Sequence, residues 1–235
     1  MLRGWAGRFG APLTDQQVAA FKTYCDELLT WNANRANLTA ITDPAEVESR
    51  LFLESLWCAA ALPQTSGLRL IDVGSGGGFP GLPLVIAFPG LDVTLLEATG
   101  KKVDFLQHMI ACLKLPNARA IHGRAEDLAH DSEHREAYDV ATARALAPLP
   151  ALLELCLPFM KVGGMLIAPK GADAEQEVDA ASNALSVLGG EAQGIILPEP
   201  DSPISADHRL VVIRKVAPTP DSHPRRAGVP ARRPL

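Results

Sequence analysis

At 235 residues and 47% hydrophobic composition, the chain can bury a substantial core, most simply as one domain with attachments, and its net charge of −5 argues against a surface uniformly built for polyanions. Four cysteines lie far apart, with no C-x-x-C pair and no histidine at zinc-ligand spacing, which argues against a disulfide scaffold or a structural metal and points to reducing cytosol. The N-terminus lacks signal-peptide order and no run of about 18 apolar residues is present, so a membrane anchor is not expected.

The first ten residues, rich in glycine and arginine, read as frayed. Thr14 and Gln17 then form a capping box, and Val18, Phe21, Cys25, Leu28 and Leu29 recur at helical spacing, predicting an amphipathic helix. Asp43 and Pro44 start a second helix, as cap and first helical residue, which runs to about Leu62 and buries Val47, Phe52, Leu56 and Trp57. The stretch Pro63 to Gly67 ends it. From Leu68 the pattern alternates strand and helix. Strands are expected at Leu68–Val73, Leu91–Leu96, Ala118–Ile121, Tyr138–Ala143, Met165–Ala168, Gly194–Leu197 and Arg209–Val216. Helices are expected at Phe79–Phe88, Lys101–Leu113, Leu149–Phe159 and Glu175–Leu188, with a turn at Gly163-Gly164. This order specifies an α/β fold, a mostly parallel seven-stranded sheet with helices on both faces. The last two strands have no helix between them, so one can be antiparallel. Three parts follow: an N-terminal helical extension (1–66) packed on the core, a sheet domain (67–216) and a disordered Pro/Arg-rich tail (217–235). The tail holds four arginines against Asp221, a charge of 4 − 1 = +3 that leaves −8 on the body.

The first strand ends in Asp72, Val73 and the loop Gly74-Ser-Gly-Gly-Gly-Phe79. Glycines here let the backbone turn tightly and approach a ligand. A dinucleotide fingerprint needs a glycine five positions after the first, where this chain has Phe79, and no phosphate-cradling G-x-x-x-x-G-K-[ST] stretch occurs. The pattern resembles motif I of Rossmann-like methyltransferases that use S-adenosylmethionine, a ligand without phosphate. A purely structural turn has the same appearance, so context has to decide.

In an open α/β sheet, ligands sit beyond the carboxyl ends of the strands. Glu97 closes the second strand, 23 residues beyond Gly74, where a carboxylate can accept hydrogen bonds from both ribose hydroxyls. Asp72 either pins the glycine loop or faces a cofactor amino group. Ala125 and Glu126 follow the third strand, where an adenine would rest, although Glu126 can equally cap the next turn. Arg144 follows the fourth strand between small neighbours, and contact with a cofactor carboxylate, orientation of another residue, approach to RNA phosphate and a structural ion pair all suit it. Lys170, His208 and Arg209 bring cations to the same edge, and Lys101, Lys102 and Arg124 extend it into an RNA-binding surface.

Taken together, several segments resemble a specific family, the methyltransferases G of bacterial small-subunit (16S) ribosomal RNA. They are Asn37-Leu-Thr-Ala-Ile41 with Asp43-Pro44, Leu70 to Pro83, Leu95 to Lys102, Gly123 to Glu126, Ala143-Arg-Ala145, Lys170-Gly171 and His208-Arg209. The resemblance implies a Rossmann-like class I methyltransferase fold and methyl transfer from S-adenosylmethionine to N7 of a guanine in the decoding-region loop of 16S ribosomal RNA, within RNA or a small-subunit particle. It implies cofactor contacts at Gly74, Phe79, Glu97, Ala98, Thr99, Ala125, Glu126 and Arg144. Guanine N7 offers a lone pair and bears no proton, so no general base is expected and Arg144 is given an orienting role; no metal ligand is expected, and the protein is expected to be a cytoplasmic monomer. One departure is visible: the second helix of the family usually carries arginine-histidine before an aspartate-serine pair, where this chain has Arg50-Leu51 and Glu54-Ser55. A small-molecule methyltransferase and a non-enzymatic cofactor-binding protein are the alternatives.

Overall fold

The computed structural model describes residues 1–63 and 67–235, so the Pro63 to Gly67 stretch expected to end the second helix lies partly outside the described residues. Seven strands form one sheet: β1 (Arg69–Val73), β2 (Asp92–Glu97), β3 (Ala118–His122), β4 (Tyr138–Thr142), β5 (Met160–Lys170), β6 (Gly190–Ile196) and β7 (Arg209–Lys215). Their spatial order is 3-2-1-4-5-7-6, with β1 to β5 parallel and β7 antiparallel to both its neighbours, as the missing helix between the last two strands requires. Strand order reverses between β1 and β4, which opens a crevice beyond their carboxyl ends.

Alternating side chains split the core between the two sheet faces. Leu70, Val93, Leu95 and Val140 point toward the N-terminal helices and the helices Gly81–Ala87 and Gly100–Cys112. Ile71, Val73, Leu96 and Ala141 point toward the helices Leu149–Cys156 and Ser182–Leu188. The N-terminal extension therefore supplies one wall of the core. Its first helix, Leu2–Arg8, replaces the frayed end expected from composition, because Leu2, Ala6 and Phe9 are buried and Glu48 accepts from the Leu2 amide at 2.9 Å. The helix Asp15–Asn34 begins with the expected capping box, and Asp43 caps the next helix through the amides of Ala45 and Glu46. That helix changes winding: a π-helical stretch, Val47–Leu53, leads into the α-helical Glu54–Trp57. The Gly163-Gly164 pair is not a turn but an irregularity inside β5, where a Cβ on Gly164 would meet the Asp139 carbonyl at 2.9 Å.

The segment expected to be a disordered tail is instead fastened to the core. Arg225 makes a bidentate pair with Glu154, whose carboxylate is fully buried, and the Gly228 amide donates to Glu126 at 2.8 Å. Arg135 donates to the carbonyls of Thr219, Pro220 and His223. Composition concealed this because the partners are carboxylates set in apolar surroundings on the body of the protein, and a buried carboxylate without a partner is costly. Lys215, also buried, is paired to Glu136 at 2.7 Å.

The glycine loop is fixed from below by Asp72. This carboxylate is fully buried; it accepts from the Gly81 amide at 3.0 Å and from the Thr142 hydroxyl at 3.4 Å. Gly81 allows the approach, since a Cβ there would lie 2.8 Å from the carboxylate and 2.4 Å from Leu95. Burial outweighs these hydrogen bonds and pushes the Asp72 carboxyl from 3.8 up to about 7. Between about pH 4 and pH 7 the folded protein then holds a proton that the unfolded chain has released, so this group makes stability fall as pH rises through that window.

Two outcomes are expected. Arg225→Ala leaves Glu154 buried and unpaired and should cost about 3–5 kcal/mol in denaturant unfolding, whereas a cost near zero would show that the tail is not docked in solution. For Asp72→Asn, the stability advantage of wild type over variant should shrink from pH 4 to pH 7; a difference that is flat or grows with pH would contradict the buried, protonated carboxyl.

Candidate active site

Two cavities adjoin at the strand reversal. The first, about 410 Å³, is lined by the glycine loop from Gly74 to Gly77, by Phe79 and by Glu97, Ala98, Lys102 and Arg144. Its walls are held by backbone bonds: the amides of Gly74 and Ser75 donate to the Leu96 carbonyl at 2.8 and 3.0 Å. Glu97 accepts from the amide of Gly76 at 2.9 Å and from that of Thr99 at 2.8 Å, one on each carboxylate oxygen. Each oxygen keeps lone-pair capacity for a further donor, which is what a pair of vicinal hydroxyls offers. Gly76 has φ of +58°, and a Cβ on it would meet nothing closer than the Gly74 carbonyl at 3.9 Å, so the loop backbone borders open space. Phe79 lies parallel to Tyr24 at 5.4 Å, and the buried Tyr24 hydroxyl donates to the Gly77 carbonyl. Leu38, Thr39 and Leu51 complete the wall, so the N-terminal extension belongs to the site.

The second cavity, about 280 Å³, shares Arg144 and Ala145 with the first and adds Arg50, Glu54, Trp57, Lys170 and His208. Arg50, Glu54 and Trp57 reach it from one side of the helix that passes through the π-helical stretch. Glu54 is 9% exposed; Arg144 Nη1 lies 3.6 Å from its Oε2 and His208 Nδ1 3.2 Å from its Oε1. Arg144 Nη1 is buried without a hydrogen-bond partner, and the guanidinium stands 5.9 Å from the Phe79 ring centre. Ala145, with φ of +52°, occupies the left-handed region that side chains with a Cβ seldom adopt, so the turn carrying Arg144 is strained.

The residues singled out in the sequence divide into groups. Gly74, Phe79, Glu97, Ala98, Lys102 and Arg144 meet at the first cavity. Thr99 lies just behind it, its amide on Glu97. Ala125 and Glu126 are buried and lie outside its lining; Glu126 does not cap its helix, and one of its oxygens accepts from the Gly228 amide of the tail. Lys101 and Arg124 are exposed. Lys170 is committed to Glu177 at 2.6 Å and to the Ala147 carbonyl at 2.9 Å, so it braces the second cavity. Arg209 is turned back onto Glu175 and the Ala206 carbonyl, away from either cavity lining. Sequence reasoning missed Glu54 as the partner of Arg144; its one signal was the departure from the family pattern. It also missed a group of three ligand atoms from Glu27, His108 and Cys112, within 4.8 Å of one another, because two helices contribute them.

Among the described residues no helix is long and apolar enough to cross a membrane. The fold is that of Rossmann-like methyltransferases. A point mutant of MtNAS, solved in complex with S-adenosylmethionine, superposes with a TM-score of 0.56 at 17% identity, over 92% of this chain and 77% of that one. Precorrin-6y C5,15-methyltransferase from Geobacter metallireducens gives 0.52 at 11% identity, over 68% of this chain and 86% of that one. Curated relatives are far more similar. A ribosomal RNA small subunit methyltransferase G from Chloroflexus aggregans is 50% identical over 228 residues, 97% of this chain and 94% of the relative. One from Roseiflexus castenholzii is 48% identical over 231 residues, 98% of this chain and 97% of the relative. The family described as rRNA small subunit methyltransferase G (GidB) matches residues 17–199. The chain belongs to the rRNA small subunit methyltransferase G family.

Proposed function

We propose that this protein transfers a methyl group from S-adenosylmethionine to N7 of a guanine in the decoding-region loop of 16S ribosomal RNA. The observation that carries the reading is the pair of cavities meeting across Arg144, one with a glycine loop and an acidic strand end, the other lined by cations. The first fits the cofactor on two counts: the loop backbone at Gly76 borders open space, and Glu97 retains acceptor capacity. Glu97 would hold the ribose and Phe79 would form an apolar wall. Arg144 would orient the ligands on either side of it.

When bound, S-adenosylmethionine supplies a methyl group on a sulfonium sulfur that keeps the electron pair of the broken bond. Guanine N7 has a lone pair and no proton, so no side chain has to act as a base. Asp72 is not needed for that purpose and is spent on the Gly81 amide. The chain instead aligns the reactants and accommodates positive charge moving onto the purine. The Arg144 cation would oppose that charge if it stood alone, and Glu54 beside it offsets the opposition. Because N7 lies in the narrow, deep major groove of A-form RNA, the target guanine must be unpaired or displaced, and the exposed Lys101 and Arg124 would contact neighbouring phosphates.

The test is transfer of a labelled methyl group to small-subunit particles and to deproteinised 16S RNA, followed by nucleotide mapping. One N7-methylated guanine is expected; methylation elsewhere, or none on either substrate from protein that binds the cofactor, would overturn the reading. Removing the Glu97 carboxylate by Glu97→Ala should weaken cofactor binding about tenfold or more in calorimetry, and an unchanged Kd would remove Glu97 from the site.

A further inference from the structure

The second cavity sets a largely buried carboxylate beside a buried donor that has no hydrogen-bond partner. Among the described residues, the Glu54 carboxylate oxygens accept no hydrogen bond: Arg144 at 3.6 Å is too distant, and His208 approaches at 3.2 Å without forming one. Arg144 Nη1 is buried and has no partner. Lys170 in the same lining donates to Glu177 and to the Ala147 carbonyl, which leaves Arg144 Nη1 as the unpartnered buried donor there. Buried polar groups are normally hydrogen-bonded, and a carboxylate with free lone pairs beside a free guanidinium donor calls for a ligand that presents adjacent donors next to an acceptor.

The Watson–Crick edge of guanine has that order: the N2 amino group, N1–H, then O6. We infer that Glu54 is the base-reading residue, accepting from N1–H and the N2 amino group of the target guanine while Arg144 donates to O6. This rests on the reading of the protein as a guanine methyltransferase. O6 lies between the N1 edge and N7 on the base, as Arg144 lies between Glu54 and the first cavity in the protein. Seating the N1–N2 edge on Glu54 therefore turns N7 toward the first cavity. Adenine would set the N1 lone pair against the carboxylate and offer no N2 amino group, so it is rejected. The buried Trp57 and the Pro169 ring supply apolar lining. The negative charge of Glu54 also interacts more strongly with the purine as it becomes cationic, an interaction that grows in the transition state.

The experiment is competition between two 16S RNA substrates that differ only at the target nucleotide, guanosine or inosine, which lacks the N2 amino group but keeps N7. Wild type and Glu54→Ala are compared, with product ratios mapped so that a slow variant is still measured. Wild type should prefer guanosine by about 10- to 100-fold, and Glu54→Ala should reduce that preference to near unity, the ratio being read within each protein so that weaker cofactor binding by the variant does not enter it. Glu54→Asp should recover part of the preference. A preference that survives in Glu54→Ala, or no preference in wild type, overturns the assignment to Glu54. Failure of wild type to methylate the guanosine substrate at all would instead overturn the functional reading on which it rests.

Discussion

A cation held on the wall common to two cavities is the constraint from which the site follows. Arg144 borders both, and an uncompensated guanidinium there would repel both a sulfonium and the purine that becomes positive during transfer. Glu54 answers that problem from the other side of the wall. The strained φ of Ala145 fits the same requirement, since the chain must turn sharply after β4 to leave Arg144 between the two cavities.

Around that pair the structure is arranged to hold a loop still. The glycine loop bonds to the Leu96 carbonyl and to Glu97, is fastened below by Asp72, and is covered by Tyr24 and Phe79. The last of these contacts comes from the N-terminal helices. Their burial against β1, β2 and β4 thus couples the stability of the extension to the shape of the first cavity. On the opposite face, Glu154 and Glu126 draw the C-terminal segment over the sheet and the loop after β3.

Much of this was legible in the sequence where the cause is local. The capping box at Thr14, the aspartate cap at Asp43, the glycine loop and the acidic end of β2 depend on neighbours within a few residues, and all are found where the pattern puts them. What was illegible depends on partners distant in the chain. Arg225 pairs with a carboxylate 71 residues away and Gly228 with one 102 residues away, so a Pro/Arg-rich composition reads as disorder until those carboxylates are seen. A lone glutamate inside the apolar run Leu149–Cys156 was the available sign that a cation had to arrive from elsewhere. Lys170 and Arg209 resemble free phosphate ligands in a sequence, and only the fold shows them engaged by Glu177 and Glu175. The change of winding over Val47–Leu53 has no periodic signature, yet it precedes the turn that carries Glu54.

The most direct measurement is of Arg144→Ala, comparing cofactor affinity by calorimetry with single-turnover methyl transfer to 16S RNA. An orienting guanidinium between two ligands predicts losses in both, about tenfold or more in each. Cofactor affinity and transfer rate that both stay at wild-type values would contradict the central role given to Arg144.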